Sequence, residues 1–135
     1  TNLITLGEVL VIDDCYNANP VSMKAAVDLL TMANSRTVAI LGDMFELGNN
    51  ENELHHEVGA YAAEKGIDVI LCVGNLSKNM YEGALSVTDS TSKIYYFVDK
   101  ATLLEQLGGL LQLGDSVLVK ASHGMHFEEL LDLIK

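Results

Sequence analysis

The sequence predicts an α/β fold, an open and mostly parallel sheet with helices on both faces. Three observations carry that expectation. Apolar, strand-like runs alternate with segments of helical spacing along the chain. The runs are continuous and rich in β-branched residues, as strands covered on both faces require. Hydrogen-bonding side chains crowd the carboxyl ends of those runs, where open α/β sheets place their ligands.

Taken in order, the strands are expected at Val9–Asp13, Thr37–Leu41, Asp68–Val73, Ile94–Val98 and Ser116–Lys120. Thr1 to Gly7 can add a short edge strand. Met23, Ala26, Val27, Leu30 and Ala33 line one face of the first helix, with Pro20 and Ser22 suited to its first turn. His55, Val58, Tyr61 and Ala62 mark the second, which stops at Gly66. The third runs over Ser77–Leu85, the fourth over Ala101–Leu113 and the last over Phe127–Ile134, while Gly114-Asp115 launches the final strand.

At 135 residues, 49% hydrophobic and with one proline, the chain is one globular domain. No apolar run approaches the ~20 residues of a membrane span, and no secretory signal opens the sequence, so a cytoplasmic protein is expected. Cys15 and Cys72 are expected as free thiols. Nineteen acids against eight bases give a net charge of −11. A free-standing nucleic-acid binder needs a basic face, and none is visible. The same charge disfavours polyphosphate, so any nucleotide held here has its phosphates gripped elsewhere.

The chemistry gathers at one edge. The strand ends read Asp13-Asp14-Cys15-Tyr16-Asn17-Ala18-Asn19-Pro20, Gly42-Asp43-Met44-Phe45-Glu46-Leu47-Gly48, Gly74-Asn75, Asp99-Lys100 and Lys120-Ala121-Ser122-His123-Gly124-Met125-His126. The amino ends carry turn residues such as Ser35, Gly66 and Gly114. Asn17 and Asn19 have two readings. They suit a turn, or they read the edge of a purine, since a carboxamide both donates and accepts. On the second reading Tyr16, Asn17, Asn19 and Pro20 line an adenine site. Gly42 to Gly48 is either a capped helix start or a loop whose backbone approaches something closely. The histidines are expected to face solvent or substrate, because His55 and His56 point about 100° apart on a helix and make poor metal co-ligands. The five methionines are expected as core filler. Phosphate loops of the G-x-x-x-x-G-K-[S/T] and G-x-G-x-x-G types are absent. A receiver- or flavodoxin-like binding module is the competing reading. As a receiver it would need a phosphorylatable aspartate where the third strand ends in Gly74-Asn75.

Three stretches together resemble the C-terminal domain of the Mur ligases. The family's D-D-x-Y-N-A-N-P-x-S-M pattern stands intact at Asp13 to Met23, and its L-G-D-M-x-E-L-G pattern at Leu41 to Gly48. Its V-L-V-K-G-S-R-G-M-x-x-E pattern appears at Val117 to Glu128, with Ala121 for the glycine and His123 for the arginine. The likeness spans essentially the whole chain in the family's order. It points to members that join D-alanyl-D-alanine to UDP-N-acetylmuramoyl-tripeptide in peptidoglycan precursor synthesis.

That resemblance implies a Rossmann-like third domain of a three-domain, ATP-dependent ligase. Residues 1–135 would be this domain alone, closing over ATP and bringing in the dipeptide. The N-terminal domain would bind the UDP-sugar peptide, and the central one would hold the phosphates and magnesium. No catalytic residue and no metal ligand is then expected in this chain. Asp43, Glu46, Lys120, Ser122 and His123 are expected to meet the dipeptide, with Lys120 near its carboxylate and Asp43 or Glu46 near its amine.

Overall fold

Among the described residues, five strands form one sheet: Glu8–Val11 (β1), Thr37–Gly42 (β2), Val69–Val73 (β3), Lys93–Phe97 (β4) and Ser116–Lys120 (β5). Their order is β1-β5-β2-β3-β4, and every pairing is parallel. The computed structural model describes residues 8–11 (by their backbone), 18–122 and 125–126. The expected edge strand at Thr1–Gly7 and the expected helix at Phe127–Ile134 lie outside the described residues. Both flavodoxin and receivers follow the order 2-1-3-4-5. Here β5 sits between β1 and β2, so the competing reading fails on topology.

Helices Pro20–Leu30 (α1), Glu51–Glu64 (α2), Ser77–Leu85 (α3) and Lys100–Leu110 (α4) connect the strands. The path from β1 through β4 advances across the sheet, and the step from β4 to β5 turns back. Crossovers of one hand therefore put α1, α2 and α3 on one face and α4 on the other. The core divides in that way. Met23, Val27, Leu30, Val58, Ala62 and Met80 pack on Ala39, Leu41, Ile70, Cys72 and Leu118. Leu103 and Leu107 pack on Val38, Ile40, Val69, Leu71, Val117 and Val119. Neighbouring strand residues point to opposite faces, and because both faces are covered all of β2, β3 and β5 is buried.

Several expected boundaries move. The first helix stops at Leu30, with Thr31 as its C-cap, so Ala33 lies beyond it. The fourth begins at Lys100, capped by Asp99, and ends at Leu110, leaving Leu113 exposed. Met23, Met44 and Met80 are core residues, but Met32 is on the surface. Cys72 is a buried free thiol whose pKa burial pushes up, and Cys15 lies outside the described residues.

The amino edge is stitched with polar bonds. Arg36 donates to both carboxylate oxygens of Asp115 at 2.9 and 2.8 Å, and to the Leu110 carbonyl at 2.7 Å. Thr37 gives its N–H and hydroxyl to Asp68, and its Oγ1 accepts from the Asp68 N–H. Ser35 and Ser116 share a hydroxyl bond.

Two glycines let α2 and α3 touch backbone to backbone. A Cβ on Gly59 would stand 1.8 Å from the Met80 carbonyl oxygen, and one on Gly83 2.0 Å from that of His56. In a free helix Gly→Ala stabilises by about 1 kcal/mol. Gly59→Ala is expected to reverse that sign and cost about 1–3 kcal/mol by overpacking. A urea midpoint at or above the parent's would show that the helices separate without penalty.

Candidate functional site

The strand order brings the carboxyl ends of β1, β5, β2 and β3 side by side at the place where the chain reverses direction. Such a switch point opens a crevice between diverging loops. In the registers Leu41 pairs with Lys120, and Gly42 with Val73. The loops after β2, β3 and β5 are therefore direct neighbours.

The loop after β2 is held residue by residue. Asp43 Oδ1 accepts from the Ser77 N–H at 2.8 Å and from the Ser77 hydroxyl at 2.7 Å. It thereby caps α3, whose own preceding residue Leu76 makes no side-chain cap. The carboxylate also gains from the positive end of that helix. Gly74 makes the arrangement sterically feasible. At φ +117° it leaves open a place where a Cβ would stand 2.5 Å from Asp43 Oδ1. Next, the Met44 N–H donates to His55 Nε2 at 2.9 Å. The Phe45 N–H donates to Ser122 Oγ at 2.9 Å, and the Ser122 N–H to the Asp43 carbonyl at 3.0 Å. Glu46 then adopts φ 61° and Gly48 φ 84°, before one 3-10 turn, Gly48–Asn50, leads into α2. Gly42–Gly48 is a tightly held loop, and its aspartate does cap a helix, though α3 and not α2. No close approach explains Gly48, which has open space around it and is needed for its φ of 84°.

Asp43, Lys120 and Ser122 are all buried at these neighbouring strand ends, with Lys120 only 1% exposed. Glu46 stands on the surface of the same loop. Asn19 is the N-cap of α1 in a capping box. Its Oδ1 accepts from the Ser22 N–H at 2.9 Å, the Ser22 hydroxyl accepts from the Asn19 N–H at 3.1 Å, and Pro20 follows as the first helical residue. The carboxamide oxygen thus serves the helix, while the amide nitrogen keeps two donors. Tyr16, Asn17 and His123 lie outside the described residues.

Ser77 and Gly74 help to build the site without having been singled out from the sequence, and His55 does so from an unexpected position. His55 is fully buried, which corrects the expectation that the histidines face solvent or substrate, although His56 is exposed. The signal was present, since His55 shares helical spacing with the buried Val58 and Ala62. Tyr96 donates to the Gly74 carbonyl at 2.9 Å. Burial, followed by the nearby Asp43 charge, raises its phenol pKa above the usual value and keeps it a donor. Asp99 accepts from the Thr102 N–H and hydroxyl, which lower its carboxyl pKa.

A family model described as "Mur ligase, glutamate ligase domain" matches residues 2–123. The chain belongs to the Mur ligase family. Among relatives, it is 38% identical over 128 residues to the UDP-N-acetylmuramoyl-tripeptide–D-alanyl-D-alanine ligase of Bacillus subtilis, covering 93% of this chain and 28% of that protein. The enzyme of that name from Escherichia coli is 37% identical over 124 residues, covering 90% of this chain and 26% of its own length. MurF of Acinetobacter baumannii superposes with a TM-score of 0.77 at 36% identity, over 90% of this chain and 26% of that one. MurF of Thermotoga maritima, solved in complex with ADP, gives 0.71 at 25% identity, over 94% and 28%. This Mur ligase chain thus spans about a quarter of the length of the relatives it matches.

Two predictions follow from the geometry. Gly74→Ala introduces strain at a φ open only to glycine and pushes on Asp43, so a loss of about 1–3 kcal/mol in unfolding free energy is expected. A chemical denaturation curve that overlays the parent's would show that Asp43 moves aside freely. The second concerns pH. Because the folded Asp99 pKa is depressed, its stabilisation is complete above the unfolded value of about 3.9 and is lost as pH falls through the folded one. Asp99→Asn is therefore expected to be less stable than the parent near neutral pH, with the gap closing in acid. A gap independent of pH would mean that the carboxylate charge contributes nothing.

Proposed function

We propose that this chain is the C-terminal part of an ATP-dependent ligase that adds D-alanyl-D-alanine to UDP-N-acetylmuramoyl-tripeptide in peptidoglycan synthesis. The observation that carries the reading is 38% identity across 93% of the chain to an enzyme of that name. The lack of a phosphate loop supports a domain that completes a nucleotide site without holding the phosphates. The enzyme would act in the cytoplasm, where ATP is available. Among the described residues no helix is long and apolar enough to cross a membrane.

In the reaction, a tripeptide carboxylate oxygen takes the terminal phosphoryl group of ATP and releases ADP. The dipeptide amine then attacks the acyl carbon, and the tetrahedral intermediate expels phosphate as the amine loses a proton. Holding amine and acyl phosphate in line can supply ~7–11 kcal/mol of the barrier reduction. This domain's share is that positioning. Magnesium accompanying the nucleotide would be held by the other domains. Among the described residues no three His, Cys, Asp or Glu side chains are grouped to hold a metal ion.

Tyr16, Asn17, Asn19 and Pro20, which follow β1 in sequence, are assigned to adenine. The crevice between β2 and β5 is assigned to the dipeptide. There Lys120 and His123 supply positive charge or donors for its carboxylate. The Ser122 hydroxyl still has a proton to give while its oxygen accepts from Phe45. Glu46, and the Asp43 oxygen not bonded to Ser77, serve as acceptors for the amine.

Kinetics on the intact enzyme test the division. Lys120→Met, which keeps the apolar stem, is expected to raise the dipeptide KM far more than that of ATP. Asn17→Ala is expected to do the opposite, by about 1–3 kcal/mol of lost binding. Lys120→Met acting only on ATP, or Asn17→Ala only on the dipeptide, would overturn these assignments.

A further inference from the structure

The buried ring of His55 is fully committed. Its Nε2 accepts from the Met44 N–H at 2.9 Å, so the ring proton sits on Nδ1, which faces the Glu51 carbonyl at 2.7 Å. A ring so engaged is unsuited to binding a metal or relaying a proton. It is a strut between α2 and the loop after β2. The next amide, of Phe45, is tied to Ser122 on the other side of the crevice. Two consecutive amides are thus anchored to two separate elements, and Asp43 is fastened both to Ser77 and, through its carbonyl, to the Ser122 N–H. The residue that follows is Glu46, a non-glycine residue at φ 61°. Such a conformation is uphill and persists where its surroundings over-determine it. A loop serving only to join β2 to α2 would need no bond to the segment after β5.

We infer that His55 is a positioning residue for the incoming dipeptide: with Ser122 it clamps the backbone of Met44 and Phe45 and so fixes where Glu46 stands at the crevice. This rests on the assignment of the crevice to the dipeptide. His55 itself touches no substrate.

The test uses the intact ligase carrying His55→Leu, which removes the acceptor, and His55→Gln, whose side-chain oxygen reaches for the same amide. Michaelis constants for D-alanyl-D-alanine and for ATP are measured beside hydrogen exchange of the peptide covering residues 43–47. His55→Leu is expected to raise the dipeptide KM about tenfold or more, because a buried N–H loses its partner. The ATP constant should stay within about twofold, exchange of the loop should quicken, and His55→Gln should recover most of both effects. His55→Asn, too short to reach Met44, replaces the leucine variant if that does not fold. A folded variant with faster loop exchange and an unchanged dipeptide KM overturns the inference, as do KM values that rise together. Wild-type enzyme showing no dipeptide-dependent ADP release defeats the functional reading itself. Normal release with a dipeptide KM indifferent to His55 defeats only the positioning role.

Discussion

The Asp43 carboxylate is the point on which the carboxyl edge of this domain depends. It is buried at the end of the central strand β2, and its Oδ1 finds two donors on Ser77 at the start of α3. That choice has consequences. It fixes the N-terminus of α3 against β2, requires Gly74 to lack a side chain, and presents the Asp43 carbonyl to the Ser122 N–H. Three neighbouring strand ends are thereby locked together by one residue, through its carboxylate and its carbonyl. An unpaired carboxylate at this depth would cost several kcal/mol, so the bonds to Ser77 are obligatory rather than ornamental.

The polar bonds at the two ends of the sheet do different things. At the amino edge Arg36 and Asp115 form a bidentate pair that also draws in the Leu110 carbonyl and the Gln112 N–H. Thr37 and Asp68 exchange bonds between the starts of β2 and β3. These contacts close their polar groups on one another. At the carboxyl edge the bonds instead hold loop backbones in place and leave Phe45 and Glu46 at the surface. The proposed role would suit this pattern, since a domain that completes a shared site needs rigid loops on one edge and its own stability from elsewhere.

The sheet's single reversal organises the layers. Advancing from β1 to β4 places α1, α2 and α3 on one face, where Gly59 and Gly83 allow α2 and α3 to lie backbone against backbone. Returning to β5 places α4 on the other face and inserts β5 beside β2. That return makes the carboxyl ends of β2 and β5 neighbours, and Asp43 and Phe45 are bonded there to Ser122.

The sequence by itself determined the fold class, the positions of the described strands and helices to within a few residues, and the edge at which the polar residues gather. Periodicity, caps and turn residues are local, and they are written in neighbouring positions: Asn19-Pro20 opens α1, Gly66 closes α2, and the apolar runs become strands. The motifs at Asp13–Met23 and Leu41–Gly48 likewise identified the family before any coordinates. Only the tertiary structure decided that β5 lies between β1 and β2, because strand order depends on long-range pairings that no local pattern encodes. It alone revealed that Asp43 caps a helix 34 positions away and that His55 braces Met44 from the core. A carboxylate or an imidazole has the same chemistry in either role, and burial and partners, set by residues far off in the chain, decide which role it plays.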